Sequence, residues 1–516
     1  MARSSAIVMT AFLVSKIVGL LRERAIAHQF GASAELDAYV AAFRIPDLLF
    51  TLVAGGALIS AFLPVFAGAL ARGQEDEAWT LASATTNLIF LATGTLSLLA
   101  MLSAPWLVRT VLVPHFAPAQ QALTVDLLRI VLVGTMIFAA SGLQMGVLQA
   151  FQDFTPPAVA PILYNLGILL AAVALGPRFG IRALAMGVVL GAFMHLGIQL
   201  PFLRHHGYRY RFTLGLSAPG VLPVFWLMWP RMIALGAVQL MFFVNTRLAS
   251  GLPAGSLAAL NYAWVLAQMP QTILGTAIAT VAFPRLAELA ALGERDRLRQ
   301  TATTALRVMI ALTIPASVAL WILAGPAIDV LLRTGRFDAA AALATSLTLR
   351  MFTLGLLGQV ALEMVARLFY AQQNTRTPMF MAIGAMGLNI LLAQLLVVHW
   401  QAAGLALANS LAVTLEVVAG IWLLRRMMGR LDGHALARTL SQSVAAGSLM
   451  AVACAGALRL LPPATALGTI HGPLVDGIVR LALGGLAGGL AYAAAAYALG
   501  MSEVRMVTER IARRRS

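Results

Sequence analysis

Residues 15–64 read S-K-I-V-G-L-L-R-E-R-A-I-A-H-Q-F-G-A-S-A-E-L-D-A-Y-V-A-A-F-R-I-P-D-L-L-F-T-L-V-A-G-G-A-L-I-S-A-F-L-P. Two long apolar segments make up this region, and six charged side chains interrupt or closely flank them: Lys16, Arg22, Arg24, Asp37, Arg44 and Asp47. A charge near the middle of a lipid-facing helix costs about 2.5 to 3.5 kcal/mol, so a group of them requires a water-filled cavity or an anionic partner. The six residues are therefore the first candidates for a substrate site.

Two structural interpretations compete with a substrate site at these residues. A charged side chain near a helix end can reach the membrane interface while its stem stays in the apolar layer. Arg24 and Asp37 can also form an ion pair whose role is structural. Either interpretation accounts for single residues more easily than for the whole set.

The composition predicts a membrane protein. Of the 516 residues 60% are hydrophobic and 11% are charged, whereas soluble domains carry about 25% charged residues. The mean hydropathy is +0.86. No small-x-small cleavage site separates the first apolar segment from Lys16 and Arg22, so we expect this segment to stay in the protein. The chain is predicted to be an all-α polytopic membrane protein.

Several classes of function are not expected from the sequence. The formal charge of +16 is spread over loops between apolar segments, without a basic domain, which argues against nucleic-acid binding. The single cysteine, Cys454, excludes a disulfide within the chain and a Cys-based metal site. The histidines show no metal-ligand spacing, and no phosphate-binding loop motif is present. We therefore expect no metal, no cofactor and no enzymatic activity.

Fourteen transmembrane helices are predicted from the apolar segments. A bilayer core about 30 Å thick requires about 20 apolar residues per helix. The predicted spans are residues 5–29, 35–67, 79–104, 125–150, 156–175, 180–202, 221–249, 256–286, 302–324, 340–371, 379–399, 402–425, 440–461 and 474–500. About 21 arginines fall in one set of alternate loops and about nine in the other, so the positive-inside rule places both termini in the cytoplasm.

The chain repeats itself at a spacing of about 220 residues. Leu36-Asp37-Ala38-Tyr39 recurs as Leu260-Asn261-Tyr262, and Gln149 to Pro156 matches Tyr370 to Pro378. Because this offset covers six spans, an even number, the halves share one orientation, and we predict two pseudo-symmetric six-helix lobes plus two extra C-terminal helices. The predicted divisions are an N-lobe at 1–203 with spans 1–6, a cytoplasmic linker at 204–219, a C-lobe at 220–430 with spans 7–12, and spans 13–14 with a basic tail at 431–516.

Both predicted lobes offer cations to a site between them. The second lobe contributes Arg231 and Arg247. Guanidinium groups bind phosphate oxygens through paired hydrogen bonds, so the set suits a polyanionic headgroup and would repel a lipophilic cation. Two intramembrane acids, Glu363 and Glu416, are candidates for ion coupling, although a neutral, hydrogen-bonded structural Glu416 is an equally good interpretation.

Eight motifs are spread over nearly the whole chain. They are Gly19-Leu20-Leu21-Arg22-Glu23-Arg24, Phe30-Gly31-Ala32, Asp37-Ala38, Phe43 to Leu49, Gly56-Ala57, Ala61 to Pro64, Arg336-Phe337-Asp338 and Phe369 to Pro378. Together they resemble the MurJ (MviN) lipid II flippases of the MOP exporter superfamily. The resemblance implies a flippase that moves undecaprenyl-pyrophosphate-linked glycopeptide, lipid II, from the inner to the outer leaflet of a bacterial cytoplasmic membrane for peptidoglycan synthesis. It also implies site residues at Lys16, Arg22, Glu23, Asp37 and Asp47, and an apolar groove for the polyprenyl tail at spans 13 and 14.

Two departures from the family pattern concern cations. Phe50-Thr51 stands where many members have an arginine pair, and Val265 stands where the family has a span 8 arginine. Arg44, Arg231 and Arg247 are the predicted substitutes.

The expected partners are lipid II and membrane lipids, and the protein is expected to work as a monomer. Coupling to the membrane potential, or to a sodium or proton gradient, stays open. Alternative functions are export of another polyprenyl-linked oligosaccharide, MATE-like multidrug export, or a membrane scaffold that transports nothing. A multidrug exporter of cations would need an acidic cavity, and a scaffold would need no buried charge.

Overall fold

The structure is a computed structural model in which helices follow one another along the chain. It describes the backbone of residues 2–53, 56–215, 221–429, 432–461, 464–501 and 503, and within these ranges it does not describe the side chains of 2–9, 56–60, 221–231, 233–234 and 464–473. The helices are α1 (Ala2–Phe30), α2 (Ala34–Ala42), α3 (Arg44–Val53), α4 (Gly56–Ala71), α5 (Glu75–Trp106), α6 (Pro118–Ala150), α7 (Thr155–Phe179), α8 (Arg182–Gly197), α9 (Leu200–His205), α10 (Val221–Ala249), α11 (Ser256–Pro270), α12 (Ala277–Ala291), α13 (Arg295–Leu331), α14 (Ala339–Leu354), α15 (Leu356–Ala371), α16 (Arg376–Met428), α17 (Gly433–Leu460) and α18 (Ala464–Ala498). Short π-helical turns extend α5 at Leu107–Leu112 and join α11 to α12 at Gln271–Thr276.

The prediction of an all-α polytopic membrane protein is confirmed. Nine helices of the described residues are long and apolar enough to cross a membrane, and α14 with α15, bent by 43°, forms a tenth candidate. The predicted spans 379–399 and 402–425 both lie in α16, whose helical geometry is interrupted at Gln401, with a φ of 50°. Within the predicted second span, 35–67, α2 ends at Ala42 and α3 begins at Arg44, and residues 54–55 lie outside the described residues. The count of fourteen crossings stays a prediction.

Side-chain caps fix where several helices begin. Ser33 accepts a hydrogen bond from the Leu36 amide at the start of α2. Asp338 accepts from Ala341 at the start of α14, and Asp432 accepts from Ala435 at the start of α17. The first amides of a helix have no partner inside the helix, so a short polar side chain before the first turn stabilises that end.

The internal repeat is visible in the backbone. Gln152 and Gln373 lie 221 residues apart, and both have a φ of 58°. The left-handed region costs a residue other than glycine about 1 kcal/mol, so a shared glutamine there is not explained by backbone preference. Gly73 and Gly293 form a second pair of turns, with φ of 72° and 71°. The two halves of the chain therefore contain the same turns in the same order.

Contacts divide the chain into two compact units. Unit 1 comprises Met1–Ala258 and Thr334–Phe337, and unit 2 comprises Ala259–Arg333 and Asp338–Ser516. The core of unit 1 contains an aromatic group in which the ring centroids of Trp79 and Phe151 lie 5.6 Å apart. The core of unit 2 forms where α12, α13, α15 and α16 pack, around side chains such as Met364 and Phe369.

The contact-based division differs from the predicted division between lobes. Helix α10, which the repeat assigns to the C-lobe, packs in unit 1 against α3 and α4. Gln239 on α10 donates a hydrogen bond to Thr51 at 2.8 Å, which ties the two helices together. The boundary at 204–219 rests on sequence symmetry and stays a prediction.

The predicted linker is partly attached to α5. Residues 208–215 are not helical. Asn87 on α5 donates to the carbonyls of Arg211 and Thr213 at 3.2 and 2.8 Å, and it accepts a hydrogen bond from the Tyr210 hydroxyl. Residues 216–219 of the linker lie outside the described residues. The described part thus lies along one helix instead of crossing open solvent.

Candidate substrate site

Arg22 lies on α1 and is held from two sides. Its Nη1 donates a hydrogen bond to Asn165 Oδ1 on α7 at 2.8 Å, and its Nη2 forms an ion pair with Glu23. Glu23 is only 6% exposed, so this pair lies inside unit 1. The Asn165 amide also donates to the Pro161 carbonyl at 3.0 Å, which fixes its orientation. The protein itself therefore orients Arg22.

Arg44, at the start of α3, presents unused donors. Its Nε donates to Thr246 Oγ1 on α10 at 2.8 Å, and its guanidinium carbon lies 5.5 Å from the centroid of the Phe242 ring. Among the described residues, no acceptor bonds to its two terminal nitrogens. A guanidinium that is fixed at Nε and lies over an aromatic ring offers parallel N–H donors, which suits phosphate or carboxylate oxygens.

Two tyrosines lie near these arginines. Tyr39 and Tyr164 both lie close to Arg22 and to Asp47, and Asp47 lies close to Arg44. Asp47 is half-buried and forms no hydrogen bond through its carboxylate with any described residue. We call the following set the arginine cluster: Arg22, Glu23, Tyr39, Arg44, Asp47, Tyr164 and Asn165.

Sequence reasoning missed Tyr39, Tyr164 and the role of Asn165 in the arginine cluster. The signal for Tyr39 is its place among the charges of residues 15–64, in a chain that has only eight tyrosines. Tyr164 and Asn165 lie on α7, far from those charges in sequence, and no local pattern places them beside Arg22.

Asp37 is bound to backbone amides and lies apart from the interactions that define the arginine cluster. Its carboxylate is 2% exposed and accepts hydrogen bonds from the amides of Gly255 and Ala258 at 2.6 and 2.7 Å. These amides belong to the N-terminus of α11, where the helix dipole favours a negative charge. Asp37 therefore caps a helix that lies more than two hundred residues later in the chain.

Close backbone contacts surround this cap. We call residues 28–37, 253–258 and 334–337, all of unit 1, the Asp37 junction. His28 accepts a hydrogen bond from the Arg336 amide at 2.9 Å through its carbonyl, and its Nδ1 lies 2.9 Å from Thr334 Oγ1. Gly335 has a φ of 55° and leaves no room for a Cβ beside the His28 carbonyl. The three segments approach one another this closely because glycine lacks a side chain.

The remaining basic candidates occupy different environments. Lys16 is exposed, with its Nζ 5.3 Å from the centroid of the Phe12 ring on the same helix, and Arg24 is half-buried. Arg247 donates through Nη1 to the carbonyls of Thr110 and Val111, at 2.7 and 2.8 Å, where the turn after α5 ends. The side chain of Arg231 lies outside the described residues. The structure thus brings Arg22, Arg44 and Asp47 together, and it attaches Arg247 to a helix end.

The positions that lack the family's cations are filled by other contacts. Thr51 accepts the hydrogen bond from Gln239, and the Phe50 ring lies 5.1 Å from the Phe138 ring between centroids. Val265 is partly buried on α11. The terminal nitrogens of Arg44 have no acceptor among the described residues, whereas Arg247 donates to two carbonyls.

The two acids proposed for ion coupling differ in their partners. Glu363 forms an ion pair with Arg367, which also donates to Thr280 at 3.1 Å. Glu416, half-buried on α16, forms no hydrogen bond or ion pair through its carboxylate with the described residues.

The internal repeat explains the environment of Glu416. At the offset of 221, Glu416 corresponds to His195, whose Nδ1 lies 2.6 Å from the Ser141 hydroxyl. The position that matches Ser141 is Leu362, so the second copy lacks this polar partner.

These features define a class of protein: a polytopic membrane transporter whose arginines lie inside a helical unit. A family model described as lipid II flippase MurJ matches residues 26–471. Lipid II flippase MurJ of Burkholderia cenocepacia is 32% identical over 381 residues, which cover 72% of this chain and 74% of that protein. The chain belongs to the lipid II flippase MurJ family.

Solved structures show the same fold. A lipid II flippase MurJ in an inward closed conformation aligns with a TM-score of 0.76 and 22% identity, over 93% of this chain and 97% of that one. An inward-facing multidrug resistance MATE family transporter of the MOP superfamily aligns with a TM-score of 0.68 and 15% identity, over 81% and 96% of the two chains. At these sequence identities the similarity establishes the fold. The transported molecule has to be inferred from the residues of the site.

Proposed function

We propose that this chain is a flippase that moves lipid II from the inner to the outer leaflet of a bacterial cytoplasmic membrane by alternating access. Membership of the lipid II flippase family supports this proposal. The cargo carries a diphosphate between a polyprenyl tail and a glycopeptide. The site must therefore bind a compact, doubly charged anion inside an apolar protein.

The observation that carries the proposal is that Arg44 is held in place while its terminal N–H donors stay available. Its Nε and its ring contact fix the guanidinium, while its terminal nitrogens have no acceptor among the described residues. A diphosphate oxygen pair can accept both donors in parallel. Arg22, with its Nη groups on Asn165 and Glu23, is a second guanidinium of the proposed site, and Glu23 balances its charge. Lys16, Arg24, Arg231 and Asp47 complete the proposed substrate site.

Alternating access requires contacts that form in one state and break in the other. The Asp37 junction suits this role, because a few hydrogen bonds to Asp37 and His28 hold segments that are distant in sequence. We place the junction at the outer face, since the predicted orientation puts both termini in the cytoplasm. Its opening would release the cargo to the outer leaflet.

Coupling is proposed to pass through Glu416. A carboxyl without a partner in an apolar helix can take up and release a proton or sodium ion without breaking a structural bond. Glu363 is a weaker candidate, because Arg367 already neutralises it. We further propose that the protein works as a monomer and that the membrane potential acts on the charged cargo.

Other polyprenyl-diphosphate-linked oligosaccharides share the group that Arg44 would bind. The missing family cations at Thr51 and Val265 leave the headgroup contacts of this chain different from those of relatives that keep them. A cationic drug as cargo is disfavoured, because the open donors of Arg44 repel it.

A depletion experiment tests the proposal. A bacterium whose own flippase is depleted would express this chain, and lipid II would be measured in each leaflet. We expect lipid II to reach the outer leaflet and growth to resume. Accumulation of lipid II in the inner leaflet despite normal amounts of the protein in the membrane would overturn the proposal. Transport of a different lipid-linked glycan in the same cells would identify the alternative cargo.

A further inference from the structure

Unit 2 contains a polar cavity that has no part in the proposed transport site. Its volume is about 870 Å³, and it lies where α13 begins, α16 ends and α17 begins. Nine of its twelve lining residues are polar or charged, which excludes a purely apolar occupant. Three of them are arginines, Arg299, Arg307 and Arg425, and His434 also lines the wall. We call this the basic cavity.

The three arginines differ in how far their charge is compensated. Arg307 forms an ion pair with Glu503 at 2.7 Å, and Glu503 is only 6% exposed, so this charge is neutralised inside the protein. Arg299 has an ion pair with Asp296 at 3.4 Å, but the Asp296 side chain is 88% exposed and its attraction is screened by water. The buried Nε of Arg299 has no hydrogen-bond partner among the described residues.

Arg425 is the least compensated of the three. No described residue accepts a hydrogen bond or forms an ion pair with its guanidinium. Asp432, a carboxylate in the cavity wall, accepts the Ala435 amide as the cap of α17. The basic cavity therefore keeps a positive charge at Arg299 and Arg425.

Two glycines place these guanidinium groups on the cavity wall. A Cβ at Gly429, which has a φ of 85°, would lie 3.2 Å from Arg299 Nη2. A Cβ at Gly433 would lie 3.2 Å from Arg425 Nη2. Both guanidinium groups thus lie against the backbone, one at Gly429 and the other at Gly433, which limits their freedom and presents two sets of planar donors to the same cavity.

We propose that the basic cavity binds a phosphate group through Arg299 and Arg425. Guanidinium pairs bind phosphate oxygens through parallel, charge-assisted hydrogen bonds, and the positive end of α17 adds to the attraction. The volume exceeds that of a bare phosphate, so the cavity has room for a larger molecule that carries the phosphate. Helix ends at one membrane face form the cavity, and the predicted orientation makes this face cytoplasmic. The bound molecule is then either an anionic lipid headgroup or a soluble phosphorylated compound.

Binding to the purified full chain tests the proposal and separates the two sources. Phosphatidylglycerol in mixed micelles with phosphatidylcholine is the lipid probe, with bound lipid counted by mass spectrometry, and inorganic pyrophosphate in calorimetry is the soluble probe. We expect the double variant Arg299→Gln with Arg425→Gln to lose about tenfold in affinity for the probe that the wild type binds. If the double variant loses affinity for phosphatidylglycerol, the ligand is a lipid headgroup. If it loses affinity for pyrophosphate, the ligand is a soluble phosphorylated compound.

Arg426→Gln is the matched control. Arg426 is the neighbouring arginine on α16, but its guanidinium lies 3.7 Å from the centroid of the Trp422 ring and does not line the cavity. We expect this variant to bind as the wild type does. Equal affinity of the wild type and the double variant for both probes would overturn the proposal, as would a wild type that binds neither.

A measurement on the wild type covers the case in which the double variant does not fold. Phenylglyoxal modifies accessible arginines, and mass spectrometry locates the modified residues. We expect the bound probe to protect Arg299 and Arg425 and to leave Arg426 reactive. Protection of none of these residues, or of all three equally, would contradict a specific site.

Discussion

Asp37 and Ala258 lie 221 residues apart, and the carboxylate of Asp37 accepts the amide hydrogen of Ala258 at 2.7 Å. Together with the Gly255 amide, this bond ties the start of α2 to the start of α11. Because these groups are buried, breaking the two bonds is costly in free energy: two amides and one carboxylate would be left without partners in a low-dielectric environment.

We expect Asp37→Ala to open the Asp37 junction. Two buried amides would lose their acceptor, at a cost of about 1 to 3 kcal/mol for each unsatisfied group. Hydrogen–deuterium exchange measured by mass spectrometry should become faster in residues 253–260. Asp338→Ala, which removes the carboxylate cap of α14, is the matched control and should affect only that helix. Unchanged exchange at 253–260 would show that the cap does not hold the junction.

Arg44→Gln should abolish growth of a flippase-depleted strain without lowering the amount of the protein in the membrane. Glutamine cannot offer the paired, charged donors that Arg44 presents, so affinity for a diphosphate should fall about tenfold or more. The measurement is complementation together with lipid II in each leaflet. Arg129→Gln, which removes an exposed arginine bonded to the Met101 carbonyl, should grow normally. Growth of the Arg44 variant would remove Arg44 from the substrate site.

Arg247→Gln should lower stability and leave transport intact. Arg247 donates to two carbonyls at the end of the turn after α5, and losing these bonds should cost about 1 to 3 kcal/mol. Thermal unfolding of the purified protein and complementation provide the two readouts. Loss of growth at an unchanged unfolding temperature would instead place Arg247 at the substrate, as its position in the sequence suggested.

A methyl group at Gly335 should destabilise the protein more than one at Gly73. Both glycines have a positive φ, 55° and 72°, which strains alanine at each position. Only at Gly335 would the new Cβ collide with the His28 carbonyl, since nothing lies within 4 Å of the corresponding position at Gly73. Gly335→Ala should therefore unfold at a lower temperature than Gly73→Ala. Equal unfolding temperatures would mean that the junction relaxes around the methyl group.

Glu416→Gln should fold normally, because no described partner is lost, and should remove the dependence of lipid II transport on an ion gradient. The expected readout is transport in vesicles with and without an imposed proton or sodium gradient. Glu288→Gln, an exposed partner of Arg285, is the control. If the Glu416 variant responds to both gradients as the wild type does, coupling takes place elsewhere.

The long helices were predictable, because apolar runs of 20 or more residues permit little else. Breaks inside those runs were predicted only in part. The division at residues 400–401 was predicted, and it falls at Gln401, where a glutamine takes the place that Gly180 holds in the first copy. The break between α2 and α3 was not predicted. Backbone geometry inherited from the repeat overrides local preference at such positions.

The charged residues of the site were predictable from the sequence, but the residues that contact them were not. Arg22, Arg44 and Asp47 were predicted because charged residues are rare in apolar segments. Whether each charge is open or occupied depends on residues that are remote in sequence, such as Asn165 for Arg22 and Thr246 for Arg44. The role of Asp37 was not predictable for the same reason, since its carboxylate accepts hydrogen bonds from a helix that begins after residue 255.

The paired turns at Gln152 and Gln373 imply descent from one ancestral gene that was copied head to tail. Since then the copies have diverged in chemistry while their bends stayed the same, as His195 and Glu416 illustrate. A symmetric ancestor would have carried the same groups in both copies. Separate titratable groups at equivalent places now give the two halves different chemistry.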